Sequence, residues 1–318
     1  MANNFNDISS QAAIIATAFD NMSVKPLRPN YVFDNLAKEK VWNLPQMPNK
    51  GDAIQFVRLG ALSSNTSALD VTAAAGTGSQ KNAYVRVAVS MDAYGDHAIM
   101  DTFELGNESF IDAVSDMAFL LQDQGMNSIN KLARAAIDLN QYANTVSGTL
   151  SGTYHYYASN GTASTMGVLK AIDVRKVVAD LKGANVPTYE DGFYLAVIDP
   201  SVATQLRSET GNAAWGAAVL AGDQSVQRRF NGDLGTFEGV RFISSTECRK
   251  QTTNTVSTYF LGVDGVGKAQ GRDLQVSLKP EMGGDHSNLL TIRWNGLLGY
   301  GIIRRESIRI VSSSQSQR

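Results

Sequence analysis

The stretch that decides the fold lies between residues 51 and 143, where three unlike pieces follow one another. A predicted strand, AIQFVRL (53–59), leads into a loop of small residues (61–82), and AYVRVAVSM (83–91) forms the returning strand. A very long amphipathic helix is predicted next, from about residue 107 to residue 142. A long hairpin that leads into a long helix suits a subunit that extends across its neighbours. We therefore interpret the chain as a building block.

The returning strand has a clear period of two. Val85, Val87, Val89 and Met91 fall on one face, which predicts a half-buried antiparallel strand. In the loop between the strands, 14 of the 22 residues 61–82 are Ser, Thr, Ala or Gly. Such a segment buries too little apolar area to fold alone, so we expect it to have a function or to be supported from outside.

The predicted helix has one apolar stripe, formed by Phe110, Val114, Met117, Leu121, Ile129, Leu132 and Ala136. Polar side chains are expected on the opposite side: Asp112, Asp116, Asp123, Asn127, Asn130, Arg134 and Asp138. Asn107 is the expected N-cap, and about 35 residues span roughly 50 Å. Gly125 interrupts the pattern and is expected to allow a kink. If local propensity alone matters, Gly125→Ala stabilises the helix by ~1 kcal/mol.

Residues 1–50 hold four of the seven prolines and are predicted to form an extended arm, with possible helix at about 9–20 and 31–40. The arm contains apolar residues that need burial, which a neighbouring subunit would supply: Ile14, Ile15, Phe19, Tyr31, Val32, Phe33, Leu36, Val41 and Trp42.

A second domain is predicted to begin in the Ser/Thr/Gly/Tyr-rich stretch 143–167. Asp173 is the expected cap of a helix that ends at Gly183, and Asp199-Pro200 is expected to start another helix. The predicted strands of this half are FYLAVI (193–198), the turn and strand 233–245, TYFLGV (258–263), and the C-terminal segments 289–294, 297–304 and 306–311.

The amino-acid composition limits which classes of protein this chain can belong to. The chain has 318 residues, 43% apolar and 18% charged, and a net charge of −2. Enough apolar material is present for a core, and the charge argues against a dedicated nucleic-acid binder. A single cysteine, Cys248, excludes a disulfide framework within one chain. No signal peptide or membrane span is recognisable, so we expect a soluble protein made in a cytoplasm.

Sequence motifs for catalysis are largely missing, and no cofactor, metal or catalytic residue is predicted. GVDGVGKA (262–269) fits phosphate-loop spacing up to Lys268, but Ala269 stands where Ser or Thr would hold magnesium. A loop and strand are expected after it, where a phosphate site needs a helix N-terminus. The three histidines form no metal-binding pair, and Gly-x-Ser-x-Gly is absent.

Charge is distributed unevenly along the chain. Residues 87–130 contain no Lys or Arg, whereas the block 288–318 is rich in Arg. We predict complementary patches that meet between copies of the chain and set their register. The candidate contact residues are Asp92, Asp96, Asp101 and Glu104 on one side, Arg293, Arg304, Arg305 and Arg309 on the other, together with Lys81, Phe56 and Trp42.

This order of pieces resembles the major capsid proteins of tailed double-stranded DNA phages, which share the Hong Kong 97-type fold. FYLAVIDPSVATQL (193–206) is similar to the family's strand, Asp-Pro turn and helix, and GTFEGVRFISS (235–245) is similar to its recurrent glycine-flanked strand. The resemblance implies an α+β fold with an N-terminal arm (1–50) and an extended hairpin loop (51–105). It also implies a peripheral domain with a spine helix (106–165), an axial α/β domain (166–274) and a return to the peripheral β-sheet (275–318).

The resemblance further implies hexamers and pentamers that close an icosahedral virion shell around DNA, assembled in the bacterial host cytoplasm. Portal protein and possibly a decoration protein are implied partners. Because the arm begins almost at once, we expect a separate scaffolding protein, or a scaffolding region that is already absent from this chain. A crosslink from Lys81 to Asn288 or Asn295 of a neighbour is a further, weaker implication. Two alternatives stay open: an encapsulin-like cellular shell around protein cargo, and a nucleotide-binding enzyme that uses 262–269.

Overall fold

The computed structural model describes residues 31–60, 62, 64, 66, 84–101, 113–142, 145–146, 149–150, 154–158, 167–209, 235–252, 254–280 and 289–315. In chain order the strands are β1 (Lys38–Val41), β2 (Ala53–Leu59), β3 (Tyr84–Ser90), β4 (Asp92–Asp101), β5 (Thr145–Val146), β6 (Thr149–Leu150), β7 (His155–Tyr157), β8 (Tyr194–Ile198), β9 (Thr236–Phe237), β10 (Val240–Ser244), β11 (Lys250–Thr252), β12 (Thr255–Leu261), β13 (Val266–Pro280), β14 (Leu289–Ile302) and β15 (Ile308–Ser314). The α-helices are α1 (Ala113–Asp138), α2 (Ala171–Gly183) and α3 (Pro200–Ser208).

The smaller of the two main sheets carries the long helix. Its four strands lie in the order β1-β13-β14-β4, with β1 parallel to β13 and the other pairs antiparallel. Helix α1 packs on one face through a small cluster of Leu121, Ile292 and Trp294. Its 26 residues span about 39 Å. The predicted long helix is confirmed over these residues, and the expected cap Asn107 lies outside the described part of the chain.

The larger sheet contains the main core. Its path is β7-β15-β12-β8-β10-β9, with β11 paired beside β12. Strand β8 is parallel to β10, and β12 lies antiparallel between β8 and β15. Apolar residues of α2, α3 and the central strands share one cluster with Phe33 and with Ala133 and Ile137 of α1. The end of the long helix therefore joins the larger sheet to the smaller one.

The structure of residues 31–42 differs from the sequence prediction in two respects. A helix at 31–40 is wrong, since the chain forms a single 3-10 turn (Asp34–Leu36) and then strand β1. Val32 and Phe33 were expected to need a neighbouring subunit, but both are buried in the main core of their own chain. The Phe33 amide donates to Asn130 Oδ1 at 2.9 Å, so a side chain of α1 satisfies this buried N–H group.

The polar side of α1 also differs from the expectation. Asn130 is fully buried and Asp138 nearly so, although both were expected to face solvent. Tertiary contacts are the reason. The segment 31–33 covers Asn130, and the hydroxyl of Tyr259 donates to Asp138 at 2.7 Å. A helix that packs against three elements has no single solvent face at its C-terminal end.

Local signals in the second half are mostly confirmed. Asp199 caps α3, with its carboxylate accepting from the Ser201 amide at 2.9 Å and Pro200 in the first turn. Asp173 is not the cap of α2 but its third residue, and it accepts from the Lys170 amide at 3.1 Å. Residues 289–302 form one strand, where two were expected. Strand β15 lies in the larger sheet, although 275–318 was assigned to the peripheral sheet.

Candidate subunit-contact surface

The hairpin of β2 and β3 is anchored at its base. The strands pair in register, so that Ile54 lies opposite Val89 and Phe56 opposite Val87. Ile54, Phe56, Val89 and Met91 are buried in one cluster with residues of β13, β14 and the segment after β14: Ala269, Leu297 and Ile303. Phe56, a sequence candidate for subunit contact, therefore packs inside its own chain.

Glycines in the smaller sheet make this anchoring possible. A methyl group on Gly299 would overlap the carbonyl oxygen of Ser90, and one on Gly301 would lie 2.7 Å from Val89 Cγ2. On the neighbouring strand, a Cβ on Gly267 would lie 3.0 Å from Phe56 Cζ. Sequence reasoning missed these positions, although glycine inside a strand signals close approach of another backbone.

The far half of the hairpin is uncovered. Leu59 and Tyr84 lie directly opposite each other and are 71% and 56% exposed. Val57 is exposed on the same face, and Val85 is exposed on the other face. We call these four residues the distal hairpin surface. A two-stranded ribbon is marginal on its own, and apolar groups in water lose the free energy that burial would supply.

A second apolar group lies in the arm segment beside the hairpin. Val41, Leu44 and Met47 are exposed, and Met47 is the most exposed of them at 79%. The ammonium of Lys40 donates to the Gln55 carbonyl at 2.9 Å, which ties this segment to β2. Trp42, another sequence candidate, is half-buried against the cluster at the hairpin base, and its indole N–H donates to the Gln46 carbonyl.

Two charged candidates, Asp96 and Arg293, lie on adjacent strands of one chain, and their side chains point to opposite faces of the sheet. Strands β4 and β14 are neighbours, with Asp96 opposite Trp294 and His97 opposite Arg293. The guanidinium of Arg293 donates to Ser277 Oγ at 3.2 Å. Asp92 is exposed at the start of β4, and Asp101 ends that strand. Glu104 and Lys81 lie outside the described residues.

The C-terminal arginines differ in exposure. Arg305 is exposed and Arg304 half-buried. Arg309 is only 4% exposed, so it does not contribute to a basic surface patch. Its guanidinium donates to the carbonyls of Glu306 (2.6 Å) and Ile308 (3.1 Å) and lies 4.9 Å from the Tyr154 ring centroid. Burial of Arg309 was not visible from sequence, where an Arg in a basic block is expected to be solvated.

The glycine-rich segment 262–269 has no phosphate-loop geometry. It forms a turn and then enters strand β13, so Lys268 lies within a strand and pairs with Tyr300 of β14. The Lys268 ammonium lies 3.0 Å from Asp34 Oδ1, and the hydroxyl of Tyr300 donates to the same carboxylate. Burial and Asp34 raise the pKa of Tyr300 above its ordinary value. Lys268 therefore anchors the root of the arm.

Buried ionisable groups cluster where α1 meets the larger sheet. Burial raises the pKa of Asp138 despite its hydrogen bond from Tyr259, and burial raises the pKa of the Cys248 thiol. A thiol in that state is unreactive, because the thiolate is the nucleophile.

Within the described part of the chain, no group of His, Cys, Asp and Glu side chains is arranged to hold a metal ion. No described helix is long and apolar enough to cross a bilayer.

No protein-family model matches the sequence, and no curated protein matches it. The structure is similar to phage capsid structures over nearly its whole length. The capsid chain of cyanophage Pam1 has a TM-score of 0.69 at 11% identity, covering 93% of this chain and 95% of that chain. The capsid chain of cyanophage P-SCSP1u has a TM-score of 0.65 at 14% identity, covering 94% of this chain and 92% of that chain.

The capsid of Helicobacter pylori bacteriophage KHP30 matches with a TM-score of 0.62 at 10% identity, over 99% of this chain and all of that chain. Identities this low show a shared fold. The chain therefore has a mixed α/β fold of the kind found in phage capsids, with few helices and several sheets.

Proposed function

We propose that this chain is the major capsid protein of a tailed double-stranded DNA phage, with the Hong Kong 97-type fold. The observation that carries the proposal is the likeness to capsid chains of several phages, which covers 93% to 99% of this chain. In this proposal hexamers and pentamers form an icosahedral shell around DNA in the virion. Assembly takes place in the bacterial host cytoplasm.

The uncovered half of the hairpin supports self-assembly. Its base is held by a buried cluster, so the ribbon projects from a defined position. Its far half offers apolar side chains on both faces, including Leu59 and Tyr84. In a shell, a neighbouring copy covers these side chains, and each contact is repeated around the capsomer. Weak individual contacts then suffice, because many are made at once.

Each region has a proposed place in the shell. The smaller sheet with α1 forms the peripheral domain, and the larger sheet with α2 and α3 forms the axial domain near the capsomer centre. The segment 41–48 is the C-terminal end of the predicted arm and lies on a neighbour, with Val41, Leu44 and Met47 as its contacts. Portal protein, a separate scaffolding protein and a decoration protein are further proposed partners.

Charge pairing between copies is proposed to set register. Arg305 is exposed at the turn before β15, and Arg304 is partly accessible beside it. Reversal of both to Glu is expected to reduce assembly without unfolding the subunit, measured by particle yield and by circular dichroism. Normal particle yield from this variant would contradict the charge contribution and leave the apolar contact in place.

The apolar contact is tested on the distal hairpin surface. The double variant Leu59→Ser/Tyr84→Ser is expected to abolish closed particles, because it removes a directly paired couple of exposed apolar side chains from that surface. Particle yield is measured by sedimentation and electron microscopy. The matched control is Gln55→Ser. Gln55 lies on the same face of the hairpin as Leu59, but near the anchored base, where it pairs with Ala88.

The control is expected to assemble normally, and both variants are expected to keep the unfolding midpoint of the parent subunit. Full assembly of the Leu59→Ser/Tyr84→Ser variant would show that the hairpin does not mediate subunit contact. Loss of assembly together with a lowered unfolding midpoint would show that these side chains stabilise the subunit itself.

A further inference from the structure

Strand β4 forms a free edge of the smaller sheet, within the part of the chain that the structure describes. It pairs with β14 on one side, and its ten residues, Asp92–Asp101, extend about 33 Å. An edge strand presents N–H and C=O groups that invite pairing with another chain. Exposed Ile99 adds apolar area to this edge. In a protein that is concentrated with its own copies, such an edge favours sheet-to-sheet aggregation.

The carboxylate of Asp96 occupies the middle of this edge. Its Oδ1 accepts a hydrogen bond from the His97 amide at 2.9 Å. Its Oδ2 accepts one from Gln124 Nε2 of α1 at 2.6 Å, and Gln124 Oε1 in turn accepts from the Trp294 indole at 3.3 Å. The hydrogen bonds that the Asp96 carboxylate accepts from His97 and Gln124 favour its charged form and lower the pKa of Asp96 below its ordinary value.

We propose that Asp96 keeps the free edge of β4 from pairing with the same edge of a second copy. An N–H group that already donates to its neighbour's carboxylate is not offered to an incoming strand. The helix fixes that carboxylate in place through Gln124, so the bond to His97 is held at the centre of the strand. Charged side chains on an edge strand are one means by which natural proteins prevent edge-to-edge pairing.

Charge acts in the same direction. Two β4 edges laid side by side bring Asp92 and Asp96 of each copy close together, and like charges on adjacent strands destabilise pairing. This role differs from that of an inter-subunit salt-bridge partner, which the sequence suggested for Asp96. It does not depend on the proposed capsid function, because the unassembled subunit already needs the protection.

The test compares three variants of the full chain as unassembled subunits. Asp96→Ala removes the acceptor and the charge, whereas Asp96→Asn removes the charge and keeps an acceptor for the His97 amide. Gln124→Ala removes the bond to the helix and keeps the carboxylate. Sedimentation velocity measures dimers and larger aggregates, and amide hydrogen exchange measures protection at His97. Circular dichroism confirms that each variant is folded.

Asp96→Ala is expected to associate at concentrations where the parent subunit does not. In its monomer fraction the His97 amide is expected to exchange roughly tenfold faster, because a charge-assisted hydrogen bond is lost. Asp96→Asn loses the charge and Gln124→Ala loses the bond that fixes the carboxylate, so both are expected to associate more than the parent and less than Asp96→Ala. The proposal is overturned if Asp96→Ala is as monomeric as the parent, or if Asp96→Asn, which keeps an acceptor for the His97 amide, associates as readily as Asp96→Ala.

Discussion

The two main sheets differ in how completely the chain buries them. In the larger sheet every residue of β12 is buried, and β15 is buried from Ile308 to Ser313. The smaller sheet is covered by α1 on one face, and apolar side chains such as Ile99 and Leu278 stay exposed. The attached hairpin is half anchored and half uncovered. The larger sheet completes its core within one chain, whereas the smaller sheet and its hairpin leave apolar side chains exposed.

This contrast explains where mutation should act. Changes in the central strands of the larger sheet are expected to alter the free energy of unfolding of the subunit, because β12 and most of β15 are buried on both faces. Changes on the exposed parts of the hairpin are expected to leave that free energy nearly unchanged and, under the proposed function, to reduce assembly. The hairpin base lies between these cases, since it is buried against its own sheet.

The largest expected effect is at the contact between hairpin and sheet. Gly299→Ala places a methyl group on the Ser90 carbonyl, so the hairpin base must shift away from β14. We expect destabilisation of about 3 kcal/mol, at the upper end for overpacking, measured by urea unfolding. Gly296→Ala is the matched control in the same strand, where the nearest atom to the new Cβ lies at 3.6 Å. Equal effects from both would show that strand propensity, not contact, decides the cost.

The next largest expected effect is a loss of stability at acidic pH that arises in the larger sheet. Burial lowers the pKa of His155 in β7 from 6.5 to about 4, with Arg249 contributing. Between these pH values the unfolded chain binds a proton that the folded chain does not, so stability falls as pH drops below 6.5. We expect His155 to account for a loss of roughly 2 kcal/mol between pH 7.5 and pH 5.

The measurement is the free energy of unfolding against pH for the parent and for His155→Gln. The variant removes the titrating group and should show a shallower slope between pH 5 and pH 6.5, whatever its absolute stability. The same slope in both proteins would contradict burial of a neutral His155 in the larger sheet.

The smallest expected effect is at the crossing of helix and smaller sheet. A Cβ on Gly125 would lie 2.6 Å from Leu274 Cδ1 and 3.2 Å from Trp294 Cδ2. The gain of ~1 kcal/mol in helix propensity is therefore outweighed by overpacking. We expect Gly125→Ala to destabilise the subunit by about 1 kcal/mol in denaturant unfolding. Net stabilisation would show that Leu274 moves aside and that propensity decides.

Much of the secondary structure was predictable because its signals are local. Strand 53–59 has the predicted bounds, the strand 84–90 follows the period-two pattern, and the Asp199-Pro200 start of α3 is confirmed. Each of these depends on side chains within a few residues of one another. The long helix was predictable for the same reason, because its apolar stripe repeats over many turns.

The contacts that decide function depend on residues far apart in sequence. Burial of Phe33, Asn130 and Arg309 inside the chain follows from neighbours 97 residues away or from other elements, which no periodicity reveals. Phe56 was placed at a subunit contact because an apolar residue on a hairpin has two plausible partners, a neighbour or its own sheet. Gly299 and Gly301 held the missing signal, since they clear the space into which the hairpin base packs.

We propose that this subunit is incomplete alone and is completed by other copies of itself. Electron microscopy of the purified protein, together with its sedimentation coefficient, is the first test. We expect closed icosahedral shells, or rings of five and six subunits, with density from a neighbour over the distal hairpin surface. A monodisperse monomer of 34.2 kDa that persists with a crowding agent and a candidate scaffold would contradict it.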